Sequence, residues 1–213
     1  MNTVSFGNIN SYTDWGLSLR PKDRPKPTPK YNYVSVPCRN GDLDLTEAMG
    51  DVFYENLSYS LEFNVPDAVN TWDDKLRIIT NYLHGKKMRV FFSEDPNYYY
   101  VGRITVNELS SDRNLGILSL DCNFEPFKYK KDITVVEHVV SAGNSYTFLN
   151  GRMKVVPALT LSADMTIQFK DTSYSLQAGT QKALGIQFEE GENIITVITG
   201  SGTIKAEYQE GDL

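Results

Sequence analysis

The 213-residue sequence has only two cysteines, Cys38 and Cys122, and two histidines, His84 and His138. Two cysteines cannot build a disulfide framework, so both are expected as free, buried thiols. Two histidines cannot supply a three-histidine metal site. His84 falls where a helix should end and suits the negative end of its dipole, while His138 falls in a strand-like run as a surface or interface residue. There is no apolar run of 18 residues, so no segment is long enough to cross a membrane as a helix. The N-terminal stretch MNTVSFGNINSYTDWG has neither a basic start nor an apolar core, which argues against a secretory signal and for folding in a cytoplasm. Positive charge is short as well. The formal net charge is −6, which disfavours a nucleic-acid or anionic-membrane partner, although DNA could pass a wall that does not hold it.

Recognisable chemistry is equally sparse. Gly200-Ser201-Gly202 lacks the G-x-S-x-G spacing of a nucleophile elbow, and there is neither a phosphate-cradling loop nor a dinucleotide fingerprint. Asn40 with Asp42-Leu43-Asp44 faintly suggests a calcium loop, but the glycine and the distant glutamate are out of place. Asp73 and Asp74 are accounted for by a helix start, Glu189 and Glu190 by a turn before Gly191. No catalytic residue, metal ligand or cofactor is expected.

What is present is a core-forming, strand-rich pattern. Hydrophobic residues make up 40% and charged residues 23%, enough apolar content for one large domain or two of about 100 residues each. Tyr59, Leu61 and Phe63 alternate with Ser58, Ser60 and Glu62. Leu118, Leu120, Cys122 and Phe124 repeat the pattern, as do Met165, Ile167 and Phe169 and then Ile204, Ala206 and Tyr208. Tyr31–Val36 reads as a strand ended by Pro37, with a turn at Asn40-Gly41-Asp42. A single helix is expected over about 71–84, with Thr71-x-x-Asp74 as a capping box, Trp72, Leu76, Ile79 and Leu83 on one face, and Gly85 as terminator. It should lie across a sheet.

Charge shifts near Asp132. Residues 1–132 hold 16 basic and 18 acidic side chains, residues 133–213 hold 5 and 9. That places one domain over 1–132 and a second, all of short strands, over 133–213. The run from Arg20 to Lys30 carries Pro21, Pro25, Pro27 and Pro29 among Arg20, Lys22, Arg24, Lys26 and Lys30. Proline fixes φ and removes the amide donor, so the segment should run extended outside any sheet interior. It is either a solvated loop or an arm packing on a neighbouring subunit, and with no large apolar side chain it should add little to its own core. The 13 tyrosines and 10 phenylalanines either fill cores or form a surface for sugar or protein.

The order of these pieces resembles the distal tail (Dit) protein family of siphophages. The run Val36-Pro37-Cys38-Arg39-Asn40-Gly41-Asp42-Leu43-Asp44-Leu45-Thr46-Glu47 is similar to the family's V-P-G-R-x-G-x-L-D-L-T. Tyr54-Glu55-Asn56, Leu83-His84-Gly85-Lys86, Asp95-Pro96 ahead of Tyr98-Tyr99-Tyr100-Val101-Gly102-Arg103, and Cys122 to Tyr129 follow in order. Cys38 stands where the family has glycine, so the turn there could differ. Pro157, Gly191-Glu192-Asn193 and Gly200-Ser201-Gly202 match more loosely. The resemblance implies a mainly β protein: an N-terminal tail-tube-like β-sandwich or barrel with one helix, and a C-terminal galectin-like β-sandwich. It implies no enzyme but a virion structural protein at the tail tip, assembled in the host cytoplasm. Six copies would form a hub ring with a channel for DNA, between the tail-tube protein and the tail-tip spike or tail-associated lysin, with receptor-binding proteins as further partners. The competing reading is a carbohydrate-binding β-sandwich module for host attachment.

Overall fold

The computed structural model describes residues 2–21, 24–66, 71–112 and 115–213. The chain divides into two compact units, 1–128 and 129–212.

In the first unit the strands are β1 (Val4–Phe6), β2 (Ile9–Asn10), β3 (Ser18–Leu19), β4 (Tyr33–Val34), β5 (Leu43–Asp44) and β6 (Leu57–Val65). Helix α1 (Trp72–Leu83) precedes β7 (Lys87–Phe92), β8 (Tyr98–Asp112) and β9 (Leu115–Phe124). An antiparallel sheet runs in the order β2-β1-β7-β8-β9-β6-β3, and β4 and β5 form a separate two-stranded hairpin. Strict period-two alternation puts Leu57, Tyr59, Leu61, Phe63 and Val65 of β6 in the core, with Ser58 and Ser60 exposed on the other face. Register Leu61↔Leu120 and Tyr59↔Cys122 lines up the buried residues of β6 and β9. Helix α1 closes this core with Trp72, Ile79 and Leu83.

Each end of α1 differs from expectation in one respect. Thr71 has φ −104° and ψ −3°, and its side chain makes no capping hydrogen bond. An N-cap oxygen reaches the N2 or N3 amide from extended backbone, and Thr71 is not extended. At the other end Gly85 takes φ +73°, which turns the chain out of the helix and lets its N–H donate to the Ile104 carbonyl at 2.8 Å. His84 also departs from the reading as a charge on the helix dipole. Its Nδ1 accepts the Val106 N–H at 3.1 Å, so the ring ties the helix end to β8 as an acceptor.

The second unit holds β11 (Thr134–Ser141), β12 (Ser145–Asn150), β13 (Ala158–Leu161), β14 (Met165–Phe169), β15 (Thr172–Leu176), β16 (Gly179–Gln181), β17 (Gly191–Thr199), β18 (Ser201–Tyr208) and β19 (Gly211–Asp212). Strand β10 (Lys128–Lys130), which carries the junction, pairs with β19. Two four-stranded antiparallel sheets, β11-β18-β13-β16 and β12-β17-β14-β15, bury their facing side chains between them. Phe148, Phe169, Phe188 and Tyr208 meet at the centre, with ring centroids 5.3–6.0 Å apart in the pairs Phe148–Phe188, Phe169–Phe188 and Phe188–Tyr208. His138 is not a plain surface residue. Its ring lies edge-on to Phe148, and its Nε2 meets the Thr147 carbonyl at 3.2 Å, joining β11 to β12.

Candidate functional site

The proline-rich segment is the site the sequence singles out, and the structure fastens most of it to the first unit. Arg20 continues alongside β6: its N–H donates to the Glu62 carbonyl at 2.9 Å and its Nε donates to Asn64 Oδ1 at 2.6 Å. Pro21 is exposed, and Lys22 lies outside the described residues. Arg24 turns inward. Its guanidinium lies 4.8 Å from the centre of the Phe92 ring and pairs with Glu94 at 2.6 Å. Tyr59 and Tyr100 are nearby, and burial raises both phenols while the positive charge of Arg24 opposes it. Pro25 and Lys26 are exposed, and Pro27 is buried. The end of the segment is held by the chain after the hairpin. The Glu55 N–H donates to the Thr28 carbonyl at 2.9 Å, the Lys30 N–H donates to the Phe53 carbonyl at 2.7 Å, and Pro29 bridges to Tyr54.

The expectation that residues 20–30 contribute little to their own core is therefore corrected. An arginine has an apolar stem and a planar cation, so it covers an aromatic face as an aliphatic side chain would. Composition alone could not reveal this, because Phe92 and Glu94 lie about 70 positions away.

The exposed element comes next in the chain. Between Lys30 and Gly50 no residue is buried, and the period-two stretch Tyr31–Val36 forms only the two-residue strand β4, paired with β5. Its side chains are nonetheless apolar: Tyr31, Tyr33, Val34 and Val36 are exposed, and the Tyr31 and Tyr33 rings stack at 5.7 Å. Cys38, at the turn, is exposed rather than buried, and it has φ +64°. It thus adopts the left-handed conformation that glycine takes easily. Asp44 holds the base of the hairpin by accepting the Thr46 N–H at 2.9 Å, and hydrogen bonding to Thr46 lowers its carboxyl pKa. A cleft of about 470 Å³ lies between Pro29, Tyr31, Asp44, Glu47 and Tyr54.

The remaining sequence candidates do not gather into a chemical site. Among the described residues no three His, Cys, Asp or Glu side chains come together as a metal site. Glu189 pairs with Lys170 at 2.9 Å and Lys154 at 3.5 Å, and the hydrogen bond from Lys170 lowers its pKa. Cys122 is buried in β9, and burial pushes its thiol up to about 12, far from the low values of reactive cysteines. Of the residues lining a cleft of about 360 Å³ beside Glu189, the one aromatic, Phe169, is itself buried, so it offers no exposed ring for a sugar to stack on.

No protein-family model and no curated protein sequence matches the chain. Among solved structures it is similar to the Dit protein (gp 19.1) of SPP1, described as a paradigm of the hub adsorption apparatus in phages infecting Gram-positive bacteria. The superposition has a TM-score of 0.73 at 14% sequence identity and covers 100% of both chains. The chain carries the Dit fold along its whole length.

Proposed function

We propose that this protein is a structural hub component of a phage tail tip. One observation carries the reading: a fold shared over the full length of both chains with a protein of a phage hub adsorption apparatus. Six copies form a closed ring through the first unit, on the end of the tail tube. The ring holds a tail-tip spike or tail-associated lysin and, outside it, receptor-binding proteins. Its role is to position partners rather than to catalyse, and it assembles in the host cytoplasm before joining the virion.

A head-to-tail contact repeated by a closing rotation leaves no unsatisfied surface. The β4–β5 hairpin offers such a contact, since an exposed run of Tyr31, Tyr33, Val34 and Val36 is costly to leave in water and cheap to cover. Among the described residues of the proline-rich segment, Pro21, Pro25, Thr28 and Lys30 are exposed to a neighbour, while the exposed Lys26 donates to the Leu213 carbonyl at 2.9 Å. An obligate contact of this kind buries on the order of 2,000 Å² or more. The net charge of −6 suits a wall along which DNA slides without being held.

Sedimentation and negative-stain imaging across a range of concentrations, alone and with a tail-tip partner, test this. Rings of six support the reading, and a monomer under both conditions rejects it. In a ring-forming preparation, removing residues 32–45 should dissolve the ring while leaving the second unit folded.

A further inference from the structure

We propose that strand β11 accepts an added β-strand from a different protein, an extended segment whose outward side chains run apolar, basic, apolar. This goes beyond the hub reading, because it names a second contact surface and the chemistry of what binds there.

Strand β11 stands at the edge of its sheet and, among the described residues, pairs on one side only, with β18, in the register Glu137↔Lys205 and Ser141↔Ser201. Ser141 shows which backbone groups face away from β18, because its N–H donates to the Tyr146 hydroxyl at 3.0 Å. Strand geometry repeats every two residues, so the N–H and C=O groups of Val135, Glu137 and Val139 point the same way. The outward side chains of this stretch are also open: Val135 is 51% exposed and Val139 81% exposed.

Sheet edges normally carry protection, as short strands, charges, prolines or a covering element. Two of the other three edges of these two sheets have it: strand β16 is three residues long, and β12 has its Thr147 carbonyl engaged by His138. Strand β11 has eight residues, five of them Val or Thr, and its only acid is Glu137.

Glu137 selects the occupant. Its cross-strand neighbour Lys205 places its ammonium on Glu207 at 2.9 Å instead, and among the described residues no cation pairs with the Glu137 carboxylate. A second copy of β11 laid antiparallel about Glu137 would set two carboxylates opposite each other, which is unfavourable. A strand with lysine or arginine at that position and apolar residues two places to either side satisfies the carboxylate, the valines and the open backbone groups together.

The test uses the full chain, isotope-labelled for amide hydrogen exchange, with two probes at about 1 mM. One probe is the peptide Val-Thr-Lys-Thr-Val and the other is Val-Thr-Glu-Thr-Val. The lysine peptide should slow exchange at Val135, Glu137 and Val139 by about ten-fold or more, the degree expected of amides drawn into a ladder. The glutamate peptide should not, and Glu137→Lys should exchange the two preferences. Val139→Pro removes an edge donor that β18 does not use, so it should weaken the effect. Should that variant fail to fold, the Glu137→Lys comparison still decides. The proposal is overturned if neither peptide slows these amides or if both act equally. It is also overturned if protection appears without peptide and grows with protein concentration, which would make a second copy the occupant.

Discussion

At Gly102 there is no room for a methyl group. A Cβ there would lie 2.3 Å from the Asn123 carbonyl oxygen and 2.6 Å from the Phe124 Cα, both backbone atoms of the adjacent β9. Neither can move without opening the ladder. Gly102→Ala should therefore cost about 2 kcal/mol or more, the usual penalty for overpacking a tight core. A chemical-denaturation midpoint equal to the parent's would show that the strands do not approach so closely. Cys122 gives a second prediction at this scale. Burial, with a smaller push from Asp121, raises its thiol from 9.0 to about 12. Above pH 9 the unfolded chain loses this proton while the folded chain keeps it, so the stability that burial preserves below pH 9 is lost as pH climbs toward 12. Between pH 8 and 10 the parent should lose about 1 kcal/mol more than Cys122→Ala. Parallel pH profiles for the two proteins would exclude this thiol as the cause.

Single elements were legible to different depths. The strands β6, β9, β14 and β18 follow directly from alternation, and the buried face of α1 follows from the spacing of Trp72, Ile79 and Leu83. In both cases the signal is local: each residue's environment is set by its periodicity relative to near neighbours. The proline-rich segment has no period, and its environment depends on β7. Replacing residues 20–30 with a Gly/Ser linker of equal length should lower the thermal midpoint, since it removes the Arg24 contacts with Phe92 and Glu94 and the buried Pro27. Arg24→Ala alone should cost about 1 kcal/mol, combining a partly exposed ion pair with a cation–π contact. Unchanged melting of both variants would mean the segment is held only by its ends.

For the whole molecule, the exposed hairpin sets the order of proteolysis. Trypsin should cut first after Arg39, near the Cys38 turn, because no residue between Lys30 and Gly50 is buried and only two residues per strand pair there. Arg89 and Arg103 lie within the paired strands β7 and β8 and should resist. Mass spectrometry of the first fragments checks this, and early cleavage after Arg89 or Arg103 would contradict the topology. A resistant fragment beginning near 129 would show that the second unit holds together without the first.

The residue order alone determined the fold class, through period-two alternation in both halves, and it carried the resemblance to distal tail proteins through short motifs kept in sequence. These are one-dimensional properties, set by neighbours a few positions apart. Exposure is different, because it depends on whether a distant element covers a residue. Tertiary structure alone decided that Tyr31 and Tyr33 stand in solvent while Tyr59 is buried. It likewise decided that Cys38 bends into a glycine conformation, that Arg24 seals a core edge, and that His138 joins β11 to β12 while leaving the β11 edge open.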